Sequence, residues 1–86
     1  PGTIVDRYGK ETGSFVSPKG TSYNARSLRP GTSRLSRKTY VVNKPVTVQA
    51  GKVAPAFNRP GGGIQYKLPN TVSELRNMGV LIRRWI

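Results

Sequence analysis

Ten glycines and seven prolines punctuate these eighty-six residues, and only short β-branched or aromatic runs lie between them, with no helical periodicity through the first seventy positions. Glycine admits left-handed turns and proline removes a backbone donor, so a chain of this kind folds as short strands joined by turns. The expected class is α+β: a small single domain over residues 1–86, dominated by antiparallel β-strands with one or two short helices. A chain this short buries only roughly 60–65% of the surface it exposes when unfolded, which allows one thin core.

The apolar runs locate the elements. Thr3-Ile4-Val5 and Ser14-Phe15-Val16 predict two short strands around a turn at Gly9, and "SPKGTS" predicts a loop. A short helical turn starting at Thr21 or Ser22 would carry Tyr23 and Arg26 and end before Pro30, because the residue ahead of a proline leaves the α region. Tyr40-Val41-Val42 and Val46-Thr47-Val48 predict a strand pair, with Pro45 confining the second member to an edge or a strand start. Ile64 to Leu68 predict a strand that sets Ile64, Tyr66 and Leu68 on one face and Gln65 and Lys67 on the other. Thr71-x-x-Glu74 spells a capping box ahead of Val72, Leu75 and Met78, with Gly79 placed to end the helix. "VLIRRWI" predicts a closing strand.

Charge restricts function next. Fifteen Lys and Arg oppose only Asp6, Glu11 and Glu74, for a formal net charge of +12, and no acid falls between Thr12 and Ser73. The field of such a surface attracts polyanions and acidic proteins without identifying them. No histidine and no cysteine are present, which excludes Ser-His-Asp and Cys-His catalysis, thiolate zinc sites and disulfides. No metal site is expected. No apolar run approaches the roughly 18 residues of a membrane span, no signal segment is evident, and the chain is expected to be a piece of something longer. What remains is chemistry by arginine, lysine, glutamine, tyrosine and backbone amides: gripping phosphates, orienting a substrate and letting a good leaving group depart.

The stretch "RPGGGIQY" at residues 59–66 carries the sharpest question, since three consecutive glycines leave main chain bare for something to approach. A pyrophosphate would fit, and so would a flexible hairpin loop; the Walker lysine and the strand–GxGxxG–helix context are both missing. Arg7 is equally suited to a surface pair with Asp6 or Glu11, and Phe15 and Tyr66 to the core or to base stacking. The cluster Arg26, Arg29, Arg34, Arg37 and Lys38 reads as a solvated face or as a phosphate track.

In combination, "PGTIVDRYG", "GSFVSPKGTSYNARSL", "TYVVNKPVTVQAGKVAPAF" and "RPGGGIQY", followed by a helix and "GVL", resemble the family named for the tuberculosis necrotizing toxin, in the family's order and over nearly the whole chain. The resemblance implies hydrolysis of the nicotinamide–ribosyl bond of NAD or NADP, giving nicotinamide and ADP-ribose or its phosphate, with no cofactor besides the substrate. It implies that Gln65 and Arg7 serve catalysis and that Arg26, Phe15, Lys38, Gly61, Gly62, Gly63 and Tyr66 bind substrate. Lys38 lies nearest to where the family's best-known member carries a histidine. A lysine there holds a phosphate but acts as a base only if its pKa falls by several units.

Such domains form the C-terminal effector portion of larger secreted proteins, act in the cytosol of a target cell in interbacterial competition, and are silenced by a cognate immunity protein, here expected to be acidic. Two rivals explain the charge differently. One is an RNA-cleaving toxin working with Lys, Arg and Tyr, in which nucleic acid is the partner. The other is a basic, non-enzymatic nucleic-acid-binding module, which leaves the glycine–glutamine motif without a purpose.

Overall fold

The structure is a computed structural model that describes residues 1–85. Six strands form one sheet: β1 (Ile4–Tyr8), β2 (Phe15–Pro18), β3 (Arg37–Val42), β4 (Gln49–Lys52), β5 (Ile64–Lys67) and β6 (Leu81–Arg84). Their spatial order is β4-β5-β2-β1-β3-β6, and every neighbouring pair is antiparallel. Two 3-10 turns, Asn24–Arg26 and Arg34–Ser36, lie between β2 and β3, and one helix, α1 (Val72–Asn77), precedes β6. The α+β expectation therefore holds, with the long turn-rich connections that the glycines and prolines demand.

Strand alternation divides the sheet into two unlike faces. On one face Val5, Val16, Tyr40, Leu68 and Leu81 pack with Val72, Leu75 and Val80 from α1 and its exit, forming the core. Burying each such aliphatic side chain stabilises the fold by roughly 1.5–3 kcal/mol, so this short list leaves little margin. The opposite face carries Asp6, Ser17 and Thr39, all buried although polar. Such residues survive burial only when their hydrogen bonds are met, which marks this second face as the chemically unusual one.

The capping box forms as predicted: Thr71 Oγ1 accepts from the Glu74 amide at 3.1 Å and Glu74 Oε1 accepts from the Thr71 amide at 3.0 Å. Gly79 follows at φ +73° and turns the chain into β6. Met78 departs from the predicted apolar stripe. The helix stops at Asn77, so Met78 falls on the cap and is 55% exposed.

The strand pair predicted from 40–42 and 46–48 does not form. Both edges of β3 are taken, by β1 and β6, and the strand after Pro45 begins only at Gln49, pairing with β5. Val46 and Val48 instead pack half-buried against the core. Their alternation reported burial and not a hydrogen-bonded ladder.

A polar knot closes the β1–β2 connection over the core. Glu11 accepts from the Tyr40 hydroxyl at 2.5 Å and from Arg76 Nη1 at 2.9 and 3.0 Å, while the amides of Val72 and Ser73 donate to the carbonyls of Gly13 and Glu11. The free N–H groups at the start of α1 are thus satisfied by the loop. Burial pushes the Glu11 carboxyl up, but the Tyr40 hydroxyl and Arg76 outweigh it and hold the group below the usual carboxylate range. A depressed folded-state pKa contributes stability above the unfolded value, near 4.3 for a glutamate, and that stability is lost as pH falls through the folded value. Melting curves recorded from pH 7 to pH 3 are therefore expected to show an acid-side fall that is shallower in Glu11→Gln, with the variant already less stable at pH 7. Parallel curves would show that Glu11 contributes nothing to the pH dependence.

Candidate active site

The polar face gains its site from one row of residues crossing four strands. Asp6 pairs with Ser17 on one side and Thr39 on the other, and continuing the β2–β5 register by one residue sets Gln65 beside Ser17. A small cleft of about 60 Å³ opens over this row, lined by Asp6, Arg7, Tyr8, Phe15, Ser17, Arg26 and Gln65, with Val16, Leu28 and Val53 completing its walls. Four residues singled out from sequence, Arg7, Phe15, Arg26 and Gln65, come together here from separate segments.

The two arginines are not alike. Arg26, 5% exposed at its side chain, sits against the fully buried carboxylate of Asp6: Nη2 donates to Asp6 Oδ1 at 2.5 Å and to the Thr21 carbonyl at 2.8 Å, Nη1 to the Asp6 carbonyl, and Nε to Thr21 again. Its charge is neutralised and nearly all of its donors are occupied. It belongs to the floor of the cleft. The guanidinium also lies 4.7 Å from the centre of the Tyr8 ring, a cation–π contact that fixes its plane.

Arg7 borders the cleft near the end of β1 and shares a strand face with Val5. Nε donates to the Lys10 carbonyl at 2.8 Å and Nη1 to the Phe15 carbonyl at 3.0 Å, leaving donors on both terminal nitrogens, and no acid pairs with it among the described residues. Burial draws its pKa below the ordinary arginine value, with Tyr40 opposing, yet a guanidinium stays charged at neutral pH. Space for it exists because residue 13 is glycine: a Cβ there would stand 2.0 Å from Nη2. Of the two arginines bordering the cleft, Arg7 is thus the one that keeps free donors.

Sequence reasoning missed Asp6 as anything more than a surface partner. Its signal was alternation, since it shares a strand face with Tyr8 in a chain with almost no other acid to neutralise a buried arginine. The second carboxylate oxygen, Oδ2, has no hydrogen bond; Arg37 Nη1 approaches it only to 3.9 Å.

A sequence profile described as "Tuberculosis necrotizing toxin" matches residues 1–83. The chain belongs to the tuberculosis necrotizing toxin family. The conidial surface nicotinamide adenine dinucleotide glycohydrolase of Aspergillus fumigatus is 36% identical to it over 89 residues, covering 95% of this chain and 38% of that protein. The solved structure of tuberculosis necrotizing toxin complexed with its immunity factor superposes with a TM-score of 0.83 at 24% identity, covering 93% of this chain and 47% of that one. At that identity the likeness concerns the fold. The chain spans less than half the length of either relative.

Other residues that the family resemblance nominated lie elsewhere. Tyr66 falls on the core face and lines an apolar cavity of about 320 Å³ with Val5, Val16, Val48 and Leu68. No charged side chain lines that cavity, which makes it unsuited to a pyrophosphate. Lys38, opposite Arg7 in the β1–β3 register, donates to the carbonyls of Gly9 at 2.7 Å and Ser36 at 3.4 Å and does not line the cleft.

The three glycines are also outside the cleft walls, and what comes so close to them is other backbone. A Cβ on Gly61 would lie 2.6 Å from the Val53 carbonyl oxygen, and one on Gly63 would lie 2.7 Å from Thr21 and 2.9 Å from the Ala25 carbonyl oxygen. Gly62 and Gly63 donate to the carbonyls of Val53 and Ala25 at 2.8 and 3.0 Å. The glycines therefore clamp the turn that carries Arg26 against the strand that carries Gln65. Gly62, at φ +87°, has open space around its missing Cβ, whereas Gly61 combines φ +65° with that clash. Gly62→Ala should then cost only the left-handed penalty of about 1–2 kcal/mol, and Gly61→Ala clearly more. Equal melting temperatures for the two variants would contradict the clamp.

Proposed function

We propose that this domain hydrolyses the nicotinamide–ribosyl bond of NAD or NADP, releasing nicotinamide and ADP-ribose or its 2′-phosphate. The observation that carries the proposal is the convergence of Arg7, Phe15 and Gln65 at one cleft over the Asp6–Arg26 pair, in a member of a toxin family with a relative named as an NAD glycohydrolase. Water attacks the ribose C1′ carbon, and the carbon–nitrogen bond breaks with its electron pair going to the nicotinamide ring. The ring leaves neutral because it began positively charged, and the attacking water loses one proton. No strong acid is needed for such a leaving group, which suits a chain without histidine.

The residues divide that work. Arg7 offers its free donors to the pyrophosphate through charge-assisted bonds. The Gln65 carboxamide, both donor and acceptor, orients the ribose or the attacking water. Phe15, exposed at the cleft mouth, covers a flat ring. Arg26 acts at one remove by holding Asp6 and the floor in place. At about 60 Å³ the cleft is far smaller than the roughly 300–1,000 Å³ of a site that encloses a whole ligand, so only the reacting end enters while the rest of the dinucleotide lies on the adjacent surface.

The domain is the effector portion of a larger exported protein, active in the cytosol of a target cell. Its +12 charge suits an acidic immunity protein, whose approach would be steered by the field. The test is incubation of the purified domain with NAD, NADP and bulk tRNA, following nicotinamide by chromatography and RNA length on a gel. Nicotinamide release with intact tRNA is expected. Intact dinucleotides would reject the proposal.

A further inference from the structure

The cleft takes only the reacting end of a dinucleotide, and the surface beside it holds an arrangement that the proposed hydrolysis does not use. Tyr23 is buried, its hydroxyl donating to the Thr32 carbonyl and its ring meeting that of Tyr8 edge-on at 5.2 Å. Tyr8 lines the cleft, so Tyr23 stands one ring away from it. Two guanidinium groups lie against the Tyr23 ring: Arg34 with its central carbon 4.1 Å from the ring centre and Arg59 at 4.7 Å.

Two like charges gathered on one ring repel each other, and an anion that joins them relieves the repulsion. None does so within the protein. Among the described residues neither arginine has an acidic partner, and the nearest buried carboxylate, Asp6, is engaged by Arg26, with Arg37 at 3.9 Å. Arg59 is nonetheless held in position: Nε donates to the Leu28 carbonyl at 3.3 Å and Nη1 to Asn24 Oδ1 at 2.8 Å, leaving Nη2 free. Arg34, exposed in its 3-10 turn, makes no hydrogen bond among the described residues and keeps its full fork of donors. The ring thus fixes where both charges stand, 4.1 and 4.7 Å from its centre.

Resting on the proposed hydrolysis, we infer that Arg34 and Arg59, seated on Tyr23, bind a phosphate monoester at the adenosine end of the substrate and make the phosphorylated dinucleotide, NADP, the preferred one. A monoester carries about 1.5–2 negative charges at neutral pH and three acceptor oxygens, which two guanidinium groups can share. The pyrophosphate, with one charge per phosphorus, has Arg7. The two sites are separate, since Arg7 is tied to the Lys10 and Phe15 carbonyls at one border of the cleft and the Tyr23 pair lies beyond Tyr8.

The experiment compares kcat/KM for NAD and NADP in the wild type, Arg34→Gln, Arg59→Gln and the double variant, alongside calorimetric binding of adenosine 2′,5′-bisphosphate and adenosine 5′-monophosphate. The expected result is an NADP preference that falls roughly tenfold in Arg34→Gln and further in the double variant, as for loss of a bond between charged groups. The bisphosphate should bind the wild type more tightly than the monophosphate, and that difference should shrink in the same variants. Arg34 makes no hydrogen bond among the described residues and loses only its ring contact, so its variant should melt within a few degrees of wild type even if Arg59→Gln does not. An unchanged NADP-to-NAD ratio in Arg34→Gln, or equal losses on both substrates, overturns the inference. If neither dinucleotide is cleaved, the hydrolase proposal fails separately, and the bisphosphate titration then decides the phosphate site: discrimination that Arg34→Gln removes supports it, and equal binding of the two nucleotides rejects it.

Discussion

Gln65→Ala is expected to lower nicotinamide release by about 100-fold or more, the usual consequence of deleting one positioned polar group that acts on a transition state, while leaving the melting temperature close to wild type. The reason for separating the two readouts is structural. β5 is held by its backbone on both sides, by β4 and β2, and the Gln65 side chain forms no hydrogen bond among the described residues. A carboxamide that lines the cleft with nothing to do for the fold is available to a ligand. Its removal leaves no buried partner unsatisfied, so stability should scarcely change. Activity close to wild type in the alanine variant would remove Gln65 from the mechanism, and a collapse in melting temperature would make it structural.

Asp6→Ala should give the opposite pattern, a loss of fold. Deleting one member of a buried ion pair leaves the other charge uncompensated and costs about 3–5 kcal/mol, which for a domain of this size lowers the melting temperature by roughly 15 °C or more. Arg26→Ala should be comparably severe, because it strands Asp6 and also frees the carbonyls of Thr21 and Asp6. The double variant Asp6→Ala/Arg26→Ala should be less damaging than the two single losses added together, since it leaves no lone charge. Strict additivity, or single variants melting within two or three degrees of wild type, would show that the pair is not shielded from water as its burial indicates. Activity lost in Arg26→Ala must therefore be measured against the folded fraction, whereas Arg7→Ala, which removes no ion pair, reports on substrate directly.

The contrast between the two arginines shows where sequence ceases to inform. Arg7 and Arg26 carry the same side chain, and the family motifs nominate both for the same task. Which one keeps free donors depends on Asp6, twenty residues from Arg26, and on a glycine at position 13 that admits the Arg7 guanidinium. Neither relation has a local pattern. The triple glycine is a related case: it correctly announces a close approach to main chain, but the approaching group is the protein's own backbone at Val53 and Ala25.

Local physics sufficed wherever one element's own residues decide its form. The Thr71–Glu74 box with Gly79 specified the helix, the glycines and prolines ruled out other long helices, and alternation along Ile64–Leu68 set Gln65 on the polar side and Leu68 in the core. The absence of histidine and cysteine limited the chemistry before any coordinates. Only the tertiary structure decided that β3 pairs with β1 and β6 and not with residues 46–48, that Tyr66 and Lys38 lie away from the cleft, and that Arg34 and Arg59 share the Tyr23 ring. Strand pairing, ion pairing and cation–π contact join residues distant in sequence, and their outcome depends on which partners the whole fold leaves unclaimed.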